Sequence, residues 1–72
     1  MLNQKEIFKL LDEALREYIT LYEIEDQEYL IAEGKILAYL NCLKDDTLKL
    51  RKYSKLTISK AKKFIDYLSD KL

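Results

Sequence analysis

Residues 25–44, EDQEYLIAEGKILAYLNCLK, carry apolar side chains around most of a helical circumference, and this limits what the chain can fold into. At about 100° per residue, Tyr29, Ile36, Leu40 and Leu43 fall on one line, flanked by Ala32, Tyr39, Leu30 and Leu37. Together they cover about half the circumference, wider than the stripe of an ordinary surface helix. A second, thinner apolar line runs down the opposite side through Ile31, Ala38 and Cys42. A helix that is apolar on two sides requires two neighbours. One is its own chain; the other is a further part of the chain, a second copy or a partner. Glu33 interrupts the wide face. An unpaired buried carboxylate is expensive, so Glu33 is expected at the rim, turned towards water, with a buried acid as the alternative reading. Gly34, the one glycine of the chain, lies beside the thinner line. Inside a helix it costs about 1 kcal/mol relative to Ala, and its missing side chain permits close approach of another helix; a local kink is the alternative.

The flanking segments supply the other helices. Asn3 is a good N-cap, and Glu6 in the turn that follows suits the helix dipole. From there to about residue 22, Ile7, Phe8, Leu10, Leu11, Ala14, Leu15, Tyr18, Ile19 and Tyr22 share one side and the charged residues share the other. The period fails over 23–26, and Asp26 is a plausible N-cap for the next helix, 26–44. So short a connection between amphipathic helices predicts an antiparallel helical hairpin. After Lys44 three readings remain: a short helix over 47–53 capped by 45–47, continuation of the preceding helix or, ranked last because an isolated strand has nothing to pair with, a strand over the alternating TLKLRKY. Thr57 caps a last helix, 58–71, with Ile58, Ala61, Ile65, Leu68 and Leu72 on one seam and Phe64 at its edge. Tyr67 falls among Lys60, Lys63 and Lys71. The expected architecture is a single all-α domain over 1–72, a small antiparallel three- or four-helix bundle with the 26–44 helix between the other two.

Composition narrows the function. With 72 residues, no Pro and one Cys, the chain is one small domain without an internal disulfide. There is no secretory signal and no apolar run near the length of about 18 residues that spans a membrane, so a cytoplasmic protein is expected. The chain has no His, which removes the commonest general base and metal ligand. A lone Cys without His forms no Cys–His pair, and Cys42 on an apolar helical line reads as a packing residue. One Gly builds no phosphate-binding loop, and neither zinc spacing nor an EF-hand loop is present. No enzyme activity, cofactor or metal is expected.

What remains are surfaces. Residues 1–33 hold three basic residues against nine acids, a net −6, whereas 34–72 hold ten against four, a net +6. Segment 47–63 contains seven basic residues and no acid. If the acidic hairpin folds beside the basic half, the two neutralise each other internally. If the basic segment is free, Lys49, Arg51, Lys52, Lys55, Lys60 and Lys63 are candidate phosphate contacts for a nucleic acid. The leftover apolar residues Ile31, Ala38, Cys42 and Tyr67 are candidates for a partner surface. The leading expectation is a non-catalytic protein-interaction or regulatory domain, with homodimerisation as one form of it. A nucleic-acid-binding accessory protein is the alternative.

A further reading comes from KLTISKAKKFIDYLSDKL at the C-terminus. Through Leu56, Thr57, Ala61, Phe64 and Leu68 it resembles the last helix of bacteriocin immunity proteins over about a quarter of the chain. That resemblance implies a small cytosolic antiparallel helical bundle of Gram-positive bacteria that protects its producer.

Overall fold

α1 (Gln4–Glu23), α2 (Tyr29–Cys42) and α3 (Ile58–Ser69) make up the protein in a computed structural model that describes residues 3–43, 48 and 55–72. All regular elements among the described residues are helical, as the period of the apolar residues predicts. The short helix considered over 47–53 lies, Leu48 apart, outside the described residues.

Capping fixes two helix starts. The Asn3 side chain accepts from the Glu6 backbone N–H at 2.8 Å and donates to the Glu6 carboxylate at 3.3 Å. The Thr57 hydroxyl accepts from the Lys60 backbone N–H at 3.2 Å. Each satisfies a donor that the first helical turn leaves free. α1 ends in a Schellman motif: the Asp26 N–H reaches back to the Leu21 carbonyl at 2.9 Å and the Glu25 N–H to the Tyr22 carbonyl at 3.2 Å. Glu25 therefore occupies the left-handed position that closes the motif, at φ 59°. The start of α2 differs from the expectation. Asp26 accepts from the Glu28 N–H at 2.9 Å, so its carboxylate closes a tight turn one step earlier. The α-helix proper begins at Tyr29, with Glu28 at the cap and no side-chain bond to it.

The order of the layers also differs. α1, rather than α2, is the helix in the middle: it packs against both α2 and α3, which barely touch each other. The core draws Phe8, Leu11, Ala14, Leu15 and Tyr18 from α1, Ala32, Ile36 and Leu40 from α2, and Ala61, Phe64 and Leu68 from α3, with Leu43, Leu48 and Leu56 completing it. Leu11 and Leu15 are fully buried, as expected of the face turned to two neighbours. In α3 the buried line passes through Phe64, while Ile58 and Ile65 sit at its margins and Leu72 is exposed. Tyr18 and Tyr22 near the end of α1 meet Tyr29 at the start of α2, which makes the first two helices an antiparallel hairpin.

Candidate functional site

α2 buries less of itself than its sequence suggests. Ala32, Ile36, Leu40 and Leu43 are buried, and Tyr29 and Tyr39 pack against them. Leu30 and Leu37, assigned by spacing to the flanks of the inward face, instead lie outside, 57% and 40% exposed. The thinner line is open as well: Ile31 is 62% exposed, and Ala38 and Cys42 are exposed with it. The packing role assigned to Cys42 is therefore not its role within this chain. Gly34 faces open space, since a Cβ built there meets nothing within 4 Å. It relieves no contact inside the protein.

The outward face has a definite relief. On a helical projection Gly34 and Ala38 form its floor. Leu30 and Leu37 stand along one side, and Ile31 and Cys42 along the other. Among the described residues, Asn41 and Lys35 are the exposed polar residues on this face, and Lys35 is its single charge. A trough between two apolar ridges is the shape into which a ridge of another helix packs.

The remaining candidates are placed differently. Tyr67 is half-buried against the core on α3, with the Lys71 ammonium 5.3 Å from the centre of its ring, so it is no part of the open α2 face. Lys55 and Lys63 are exposed and Lys60 is half-buried; Lys49, Arg51 and Lys52 lie outside the described residues. The ion pair among the described residues joins Arg16 to Asp12 at 3.1 Å within α1. No ion pair there links the acidic and basic halves, so internal neutralisation by direct pairing is not seen among those residues. Glu33 is half-buried at the rim of the α1–α2 contact.

No protein-family model, curated protein or solved structure matches this chain. Its geometry is accordingly the ground for any assignment. No helix among the described residues is long and apolar enough to cross a membrane. No group of three or more metal-binding side chains gathers among them.

A feature absent from the sequence reading is a tyrosine cluster where α1 turns into α2. The ring centres of Tyr18 and Tyr22 lie 6.3 Å apart, those of Tyr18 and Tyr29 6.0 Å, and those of Tyr22 and Tyr29 5.3 Å, the last two pairs edge to face. The Tyr18 hydroxyl donates to the Leu56 carbonyl at 3.4 Å, tying α1 to the segment before α3. Burial pushes the Tyr18 phenol above its ordinary value near 10, and the Glu33 carboxylate adds to the shift. The signal was present in the spacing: Tyr18 and Tyr22 are one helical turn apart, and the short link returns Tyr29 to them.

Proposed function

We propose that the protein is a small non-catalytic interaction module that pairs with a second copy of itself through the outer face of α2. The observation that carries this reading is the open trough of Gly34 and Ala38 between Leu30, Leu37 and Ile31. A large apolar residue exposed singly is ordinary, but three on one helix face, around small residues, form a patch that water does not favour. The face is also suited to itself. Its single exposed charge, Lys35, falls at the edge of the face on the helical projection, where solvent and salt screen it from the same residue of a second copy, and its ridges match its trough, which is what a two-fold interface needs.

Size sets the strength. A 14-residue helix is about 21 Å long at about 1.5 Å per residue. One face of it covers well under the roughly 800 Å² per partner of a standard stable interface. The expected dimer is therefore weak, with a Kd in the range of about 10 µM to about 1 mM. Amide NMR spectra over a dilution series test this. Concentration-dependent shifts confined to residues 30–42 support the pairing. Spectra independent of concentration refute it and direct the same face to an amphipathic helix of another protein.

A further inference from the structure

At the end of the bundle where α1 turns into α2, two clefts share a wall. One, of about 470 Å³, is lined by Tyr18, Tyr22, Glu23, Leu56, Thr57 and Ile58. The other, of about 440 Å³, is lined by Tyr22, Glu23, Glu25 and Tyr29. Tyr22 belongs to both and is 49% exposed, so its ring is accessible at the junction. The first cleft is chiefly apolar; the second combines two tyrosine rings with two carboxylates.

Both carboxylates are exposed to solvent beside the rings. Glu23 occupies the last turn of α1, where the free carbonyls already carry partial negative charge and no basic residue offsets it. Glu25 is held at φ 59°, the closing position of the Schellman motif that favours Gly. Neither makes a side-chain hydrogen bond or an ion pair among the described residues. The faces of tyrosine rings, the helix C-terminus and two carboxylates all attract positive charge.

We propose that the joined cleft binds an aliphatic chain ending in a cationic head, an alkylammonium or a guanidinium. The stem lies against Leu56 and Ile58 in the apolar part. The head lies over the Tyr22 ring beside Glu23 and Glu25. The site works because Tyr22 and Glu23 line both clefts, with Glu25 and Tyr29 completing one and Leu56, Thr57 and Ile58 at the start of α3 completing the other. A free diamine and a lysine side chain of a peptide present the same chemistry. This inference stands apart from the α2 surface, and failure of either leaves the other intact.

The test uses the isotope-labelled full chain and amide NMR, titrated separately with cadaverine, with a blocked peptide bearing one lysine, and with pentanol as the neutral counterpart. Saturable shifts at Tyr22, Glu23, Glu25, Tyr29 and Ile58 with a cation, and none with pentanol, are expected. A response to only one of the two cations supports the site and identifies the source. Tyr22→Leu and the double change Glu23→Gln/Glu25→Gln each weaken binding about fivefold or more, whereas Tyr22→Phe, which keeps the ring, leaves it unchanged. Circular dichroism verifies that each variant is folded. The proposal is overturned if neither cation saturates below about 10 mM, if pentanol binds equally well, or if the folded double variant binds like the wild type.

Discussion

Replacing Gly34 by Ala separates the role of α2 within one chain from its role between two. Within the monomer the substitution has no steric consequence, because nothing lies within 4 Å of the added Cβ. It removes the flexibility of a glycine in the middle of a 14-residue helix, a gain of about 1 kcal/mol. For a domain of this size that raises Tm by about 4–8 °C. Between two copies the sign reverses. The methyl group fills the floor of the trough and holds the helices apart, and the neighbouring Leu30, Leu37 and Ile31 lose contact, so self-association weakens. Thermal unfolding followed by circular dichroism at low micromolar concentration reads the first effect, where the dimer adds little by mass action. Sedimentation equilibrium reads the second. A variant that is more stable but associates as tightly as the wild type refutes the placing of Gly34 at the interface. A variant that is less stable refutes the structural argument itself, since it means that the added methyl meets something within the chain.

Three further predictions concern stability. Glu25→Gly relieves the left-handed strain at φ 59° and stabilises by about 0.5–1 kcal/mol in urea unfolding, the relief exceeding the entropy that glycine adds to the unfolded chain; Glu25→Ala, which loses the charge and keeps the strain, gives no such gain, and equal effects of the two disprove the account. Leu15→Ala empties a fully buried site in the core and costs about 2–5 kcal/mol, most or all of the stability of so small a domain, as the same melts will show; no loss means that Leu15 does not lie in a packed core. The raised Tyr18 phenol makes stability depend on alkaline pH: the unfolded chain ionises this group first, so its contribution is complete below its ordinary value near 10 and is lost as pH rises through the folded value. Urea midpoints between about pH 8 and 11 therefore fall less steeply in Tyr18→Phe than in the wild type, and parallel profiles contradict the assignment.

Much of this architecture is legible in the residues, and the misreadings share a cause. α1 and the start of α3 follow directly from the apolar period and from Asn3 and Thr57, because capping and amphipathicity are local. The central position of α1 is not local. Apolar surface on two sides of α2 reads as burial on two sides, but a helix wheel cannot distinguish a face covered by its own chain from one left for another molecule. Spacing places Leu30 and Leu37 on the flanks of the inward face, and Cys42 on the opposite line reads as a packing residue, for that reason. Asp26 has the chemistry of a cap, and only the backbone reveals that it serves the turn before the helix. The strain at Glu25 is similarly hidden, since no glycine marks the left-handed position. The α2 surface was half visible through Ile31, Ala38 and Cys42, whereas the tyrosine cleft depends on how the link returns the chain.

The most direct test of the central claim is sedimentation equilibrium of the wild type beside Ala38→Glu, which sets a carboxylate on the floor of the trough. Both are measured from about 10 µM to about 1 mM, a range that spans the expected Kd. The account predicts a wild type that shifts reversibly from monomer towards dimer and a variant, equally helical, that remains monomeric throughout. A wild type that stays monomeric over the whole range, or a variant that dimerises as well as the wild type, contradicts it.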